Sequence, residues 1–306
     1  MIKPDNTNPY NQYLDPQYIS RISGLDLRAK LVVEGFMAGL HKSPYHGFSV
    51  EFAEHRQYMP GDEIKHVDWK VYGKTNRFYV KQFEEETNLK CYLLMDCSAS
   101  MGYTSSGITK FDYATNLAAA LSYLMIRRQR DAVGLVTFDE KIRSLMLARS
   151  VSSFLTEILL ELEKTQPGSG THIADTLNNI AERIKRRALV LIFSDFFDEN
   201  LDAVIQGLKH FRHRKHEVVL FHMLDPQEIN FAFTDDSIFL DLESGEKLRT
   251  QPVHIKRNYQ KLFGEFLSTL KQTCRDQNID YVQMATDKPF DFALMNYLQK
   301  RGKIGG

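Results

Sequence analysis

Three short stretches of this 306-residue chain carry side-chain oxygens at spacings that could hold a hard cation. Asp96-Cys97-Ser98-Ala99-Ser100 places a carboxylate and two hydroxyls at alternate positions. It follows an apolar run at 91–95 that is too short for a helix and suits a strand buried on both faces. Gly168-Ser169-Gly170-Thr171 sets a hydroxyl on a glycine-rich loop just ahead of a helical pattern. A second apolar run, 189–193, ends in Ser194-Asp195. Asp and Ser divert backbone hydrogen bonding, so they end strands rather than continue them. Oxygen ligands with few carboxylates and no thiolate suit Mg²⁺, which keeps several waters in an octahedral shell, with Mn²⁺ as the alternative. The same residues also read as helix caps and turns that hold no ion.

These loops need a scaffold that brings them together. Strands are expected at 89–96, 132–138, 142–147, 189–195, 217–224 and 280–284. Helices are expected at 110–129, 151–163, 173–184, 201–211, 255–276 and 290–300. Such alternation predicts an α/β fold: a doubly wound, mostly parallel sheet with helices on both faces. Only Glu140-Lys141 and their immediate neighbours separate the second and third strands, so that pair is a hairpin with an antiparallel edge strand. In a parallel sheet the carboxyl ends of the strands share one edge, where ligands bind.

Residues 1–40 read as a loosely held tail followed by one helix over 19–40, its stripe built from Ile22, Leu25, Leu31, Val32 and Phe36. Residues 41–88 change character and predict a small β-rich subdomain, with strands at 50–58 and 77–86 and a turn at Pro60-Gly61-Asp62. Trp69, the one tryptophan, is expected to anchor that subdomain. Residues 89–306 form the main domain, interrupted near 231–253 by an inserted hairpin around Ser244-Gly245.

Lys plus Arg equals Asp plus Glu at 39 each, so no global charge draws the chain to nucleic acid or an anionic membrane. Between 41 and 90 eight basic residues meet eight acidic ones, which speaks for ion pairing over single-strand binding despite the interleaved aromatics. No apolar run reaches the roughly 18–20 residues of a membrane span, and the first residues lack a signal-like apolar core. Cys91, Cys97 and Cys274 make no disulfide or metal spacing, so a reducing cytoplasm is expected.

Taken in order, Asp96, Ser98, Ser100, Thr171 and Asp195 resemble the metal-ion-dependent adhesion site of von Willebrand factor A domains. Residues 52–86, with Arg56, Tyr58, Gly61, Asp62, Asp68, Trp69 and the acidic run Glu84 to Glu86, resemble the signature of the DUF58 proteins. The resemblance implies that Ser98 and Ser100 ligate Mg²⁺ directly. It implies that Asp96 acts through water or as a second acceptor, Thr171 directly or through water, and Asp195 through water. It also implies an adaptor that binds another protein through an acidic side chain, with a MoxR-type AAA+ ATPase as partner, and no catalysis.

Two other readings stand beside it. A hydrolase would use Asp96 or Ser98, but Ser98 stands where a second catalytic Asp is needed, and His172 is the one histidine near enough in sequence to serve as a base. Basic clusters at 127–130, 183–187 and 209–216 all fall at helix ends on the sheet edge opposite the cation site. They complement helix dipoles or else bind an anionic partner. Acidic residues at 139–140, 195–199 and 225–228 should fringe the site itself. Because the five oxygen-bearing residues are expected outside the buried strands, substitution at Asp96 is expected to spare folding.

Overall fold

The computed structural model describes residues 10–40, 55–57, 69–81, 89–168, 173–198, 200–243 and 245–304. Met1–Lys42 and Leu89–Gly306 form one compact unit, and Ser43–Asn88 form another.

The larger unit opens with a 3-10 turn, Asn11–Leu14, then α1 (Pro16–Ser20) and α2 (Leu25–Leu40). A single helix over 19–40 was expected, and the chain breaks it at Gly24, whose φ of +84° is a left-handed conformation that glycine adopts freely. The apolar stripe runs on across the break, which is why periodicity alone reads through it. In the smaller unit β1 (His55–Gln57) pairs antiparallel with β2 (Tyr79–Lys81), and α3 (Trp69–Thr75) lies between them in sequence. Strands lie within both of the expected ranges, while α3 was not anticipated. Trp69 is 58% exposed and meets Tyr72 and Phe78 edge-on, so it stands on the surface of an aromatic group and does not anchor a core. Tyr58, Gly61, Asp62, Asp68 and Glu84 to Glu86 lie outside the described residues, as does the expected turn at 60–62.

The chain then alternates: β3 (Lys90–Asp96), α4 (Lys110–Tyr123), β4 (Ala132–Phe138), β5 (Ile142–Arg149), α5 (Ser152–Lys164), α6 (Ile173–Arg183), β6 (Leu189–Ser194), α7 (Leu201–His213), β7 (Glu217–Leu224) and α8 (Pro226–Asn230). A hairpin of β8 (Ser237–Leu240) and β9 (Lys247–Thr250) follows, then α9 (Pro252–Asp276), β10 (Asp280–Ala285) and α10 (Asp291–Ile304). The six-stranded sheet runs β10-β7-β6-β3-β4-β5, parallel except for β5, which pairs antiparallel at one edge. This is the expected doubly wound sheet with its antiparallel edge strand.

Period-two alternation divides the strands between two cores. Cys91, Leu93, Met95, Leu191, Phe193 and Phe221 face a core shared with α2, α4, α5 and α10. Tyr92, Leu94, Val190, Ile192 and Leu220 face another shared with α6, α7 and α9. Between their end residues β3 and β6 are therefore apolar on both faces, as a sheet covered on both faces requires. Helix α2 packs on α4, pinned where Arg28 Nη1 donates to Asn116 Oδ1 at 3.1 Å and the Leu25 N–H donates to Glu163 Oε1 at 2.8 Å. Helix α4 is buried along almost its whole length and runs on into a π turn at Leu124–Arg128.

Candidate functional site

Strand β3 sits in the middle of the sheet, and its last residue, Asp96, is fully buried. The expectation that Asp96 lies outside the buried strands is therefore corrected. One carboxylate oxygen accepts the Ser98 N–H at 2.9 Å, and the other accepts the Ser194 hydroxyl at the end of β6 at 2.5 Å. This Asx turn drives the chain out of the strand and into a 3-10 turn, Ala99–Gly102. It aims two hydroxyls at one point: Ser98 Oγ and Ser100 Oγ stand 3.0 Å apart. Two oxygens at about 2.1 Å from an octahedral Mg²⁺, on adjacent corners, are separated by about 3.0 Å, so the serine pair fits one edge of such a shell. Burial raises the Asp96 carboxyl to about 7, helped by the nearby negative charge of Asp195 and opposed by the bonds from Ser194 and Ser98. A cation at the serine pair would favour its charged form.

The glycine-rich loop arrives beside this turn. The Gly168 N–H donates to Cys97 O at 2.7 Å. A side chain at Gly168 would collide with Arg143, whose Nη2 lies 1.8 Å from where a Cβ would stand. Arg143 binds Asp139 through Nε at 2.7 Å and donates to Gln166 O at 2.6 Å, so it ties β5, the loop and the β3 turn together. Thr171 and His172 lie outside the described residues. Cys97 is buried, and burial pushes its thiol up to about 12, so it is an inert packing residue.

Asp195 is bound into the protein through both carboxylate oxygens. Its Oδ2 lies 2.7 Å from Lys110 Nζ, and its Oδ1 accepts the Phe197 N–H at 3.2 Å. Lys110 opens α4 and is itself fully buried. Its ammonium also meets Glu228 Oε1 at 2.5 Å and lies 5.1 Å from the Phe197 ring centre. Burial would depress this lysine, but Asp195 and Glu228 outweigh that effect and hold it above its usual range. Both Asp195 oxygens are thus engaged within the protein.

The acidic fringe expected around the site is largely internal. Asp225 is buried, accepts the Ser105 N–H at 2.8 Å and bonds the Ser105 hydroxyl. It also caps α8, and Glu228 closes the capping box. Asp139 is held by Arg143. His222 lies behind Asp195 with Nε2 2.9 Å from Asp195 O and Nδ1 2.7 Å from Tyr281 Oη, and burial holds its ring down to about 4. Next to Lys110 opens an apolar cleft of about 480 Å³ whose walls include Tyr103, Phe197, Phe231, Tyr259 and Phe263. Lys110, Arg143 and the cleft were not found from sequence, nor was the bond from Ser194 to Asp96, because each joins the site from a distant part of the chain. The aromatic run at 231–239 was the one local signal of the cleft.

Among the described residues, no group of three or more His, Cys, Asp or Glu side chains is placed to hold a metal, and no helix is long and apolar enough to cross a membrane. A doubly wound sheet that gathers hydroxyls and carboxylates at its strand carboxyl ends defines an α/β domain with its polar site at the usual edge. Residues 54–265 match the family described as "Protein of unknown function DUF58", and the chain belongs to that family. It is similar to the uncharacterized protein Rv1480 of Mycobacterium tuberculosis and Mb1516 of Mycobacterium bovis. Each is 22% identical over 300 residues, covering 95% of this chain and 93% of the relative. Among solved structures it is similar to an aerotolerance-related membrane protein from Bacteroides fragilis, at 15% identity and a TM-score of 0.46, covering 69% of this chain and 99% of that one. BatB from Bacteroides thetaiotaomicron follows at 14% identity and a TM-score of 0.44, covering 70% and 98%. A von Willebrand factor type A structure from Catenulispora acidiphila matches at 13% identity and a TM-score of 0.30, covering 57% and 42%.

Proposed function

We propose that this protein is a cytoplasmic, Mg²⁺-dependent protein-binding module and not an enzyme. The observation that carries this reading is the serine pair: two hydroxyls 3.0 Å apart, backed by a buried carboxylate, at the carboxyl end of the central strand. Ser98 and Ser100 would hold the ion, Asp96 would stand behind them as its anionic acceptor, and Thr171 would complete the protein's share. Bound there, Mg²⁺ (or Mn²⁺) supplies an electrophilic corner that a partner's Asp or Glu can occupy. The Lys110–Asp195–Glu228 group fixes the floor beneath and keeps Asp195 from competing for that corner. The resemblance to DUF58 proteins with an adhesion-type site makes a MoxR-type AAA+ ATPase the partner to try first.

A hydrolytic role for Asp96 or Ser98 would need a base. The expected base, His172, lies outside the described residues, and His222 has both ring nitrogens engaged behind the site.

Calorimetry with Mg²⁺ and Mn²⁺ on the wild type, Ser98→Ala and Ser100→Ala tests the ion. Capture of the ATPase with and without EDTA tests the docking. Equal ion binding by all three proteins would sink the reading, and so would capture indifferent to EDTA.

A further inference from the structure

The two edges of the main sheet are not alike. Strand β5 closes one edge with register irregularities against β4 and carries Arg143 and Arg149, features that blunt an edge against further pairing. Strand β10 closes the other edge and pairs with β7 in unbroken register from Asp280 to Ala285. Among the described residues no strand pairs with its outer side. The Thr286 N–H donates inward to Leu224 O at 3.0 Å. Residues of a regular strand alternate in direction, so Tyr281, Gln283 and Ala285 turn their N–H and C=O groups outward.

A cleft of about 460 Å³ opens at the start of this edge, beside Asp280 to Val282, with walls from α9 and α10. Its α9 wall presents Lys271 and Arg275, both exposed. Its α10 wall presents the amides Asn296 and Gln299. Asp280, the one acid in the lining, is held by Lys300 at 3.0 Å. Lys271 and Arg275 are four residues apart on a helix, a rise of about 6 Å. Two residues of an extended strand advance by about 6.6 Å. Alternate side chains of a strand laid on β10 would therefore meet the two cations in step.

We propose that the outer edge of β10, unpaired among the described residues, is a docking surface for an extended segment of another protein, added as a seventh strand. That segment carries acidic residues at alternate positions facing Lys271 and Arg275, with small polar residues facing Asn296 and Gln299. Backbone hydrogen bonds would supply the affinity, and the charge pattern the choice of partner. The surface is separate from the serine pair and needs no ion.

The probe is a capped heptapeptide alternating Thr and Glu, titrated into the full chain with EDTA present. Amide exchange at Tyr281, Gln283 and Ala285, followed by NMR, should slow at least tenfold at saturation. The double substitution Lys271→Glu with Arg275→Glu should weaken binding at least tenfold. A peptide N-methylated at alternate backbone positions should not bind to the wild type. The proposal fails if the peptide does not bind, if a Thr/Lys peptide binds as tightly, or if N-methylation has no effect. It also fails if those amides are already protected in a dimer without peptide, which would give the edge to a second copy of the chain.

Discussion

Lys110 and Asp195 meet 2.7 Å apart with neither side chain exposed, although they are 85 residues apart in the chain. An ammonium in that position neutralises two acids at once, because Glu228 reaches it from the other side. Replacing it with an apolar residue of similar length would leave both carboxylates buried without a counter-charge. Lys110→Met is expected to destabilise the fold by about 3–5 kcal/mol, measured by urea denaturation. Adding Glu228→Gln to Lys110→Met should recover part of that loss. If Lys110→Met is neutral, the ion group does not hold the floor of the site.

Asp96 accepts two buried donors, so its removal is a folding event as well as a functional one. Asp96→Ala should cost about 1–3 kcal/mol for each donor left unmatched. Asp96→Asn keeps one acceptor and should cost less. The comparison of denaturation midpoints decides it, and equal midpoints for wild type and alanine variant would count against the geometry at β3. Ion-binding losses in Asp96→Ala must be read only after this cost is known, which makes Ser98→Ala and Ser100→Ala the better probes of the ion.

His216 gives a pH dependence with a definite sign. Its ring accepts the Ala188 N–H at Nδ1, 3.2 Å away, and burial holds its pKa below the ordinary histidine range, helped by Arg214 and Arg212. Above about pH 6.5 the ring is neutral in both folded and unfolded chains, and nothing is lost. As pH falls below that value the unfolded chain takes up a proton that the folded chain refuses, so stability declines. His222 contributes in the same direction. The wild type should therefore lose stability between pH 7.5 and 5.5 more steeply than His216→Gln, and parallel curves would show that His216 is not held neutral.

The basic edge opposite the serine pair is partly neutralised from within. Glu217 takes Arg187 at 3.2 Å, Arg212 at 3.1 Å and Lys300 at 3.1 Å. What remains should give only weak, salt-sensitive retention on heparin. Reversing Arg186 and Arg214 to Glu should abolish it without disturbing the Glu217 group. If the wild type is not retained even at low salt, these clusters serve their helix ends and nothing more.

The central strands β3 and β6 were legible because each is an apolar run that ends in residues unable to extend it. Leu189–Ser194 ending at Ser194-Asp195 is the plainest case. The inserted hairpin was legible from alternation around a glycine turn. The Gly24 break was not, because the stripe of α2 continues the phase of the residues before it. Asp96, Ser98 and Ser100 were legible as a set because one turn holds all three. Asp195 was legible as a residue but not in its role, since nothing near it in sequence announces Lys110. Arg143, and the Asp96 partner of Ser194, were missed for the same reason: long-range contacts between ordinary residues carry no local pattern. Thr171 and most of the signature at 52–86 lie outside the described residues.

Helix α2 completes its packing only on α4 and α5, which the chain reaches after the whole of the 43–88 unit has been made. At a synthesis rate of about 5–20 residues per second, Val32, Val33 and Phe36 wait several seconds for their cover. The 43–88 unit is thus an interruption in a domain whose two parts recognise each other across it. Two separate polypeptides, one ending after α2 and the other beginning at Leu89, should reassemble when co-expressed, held by α2 against α4. Split-protein complementation at that position would turn assembly of the main domain into a countable signal.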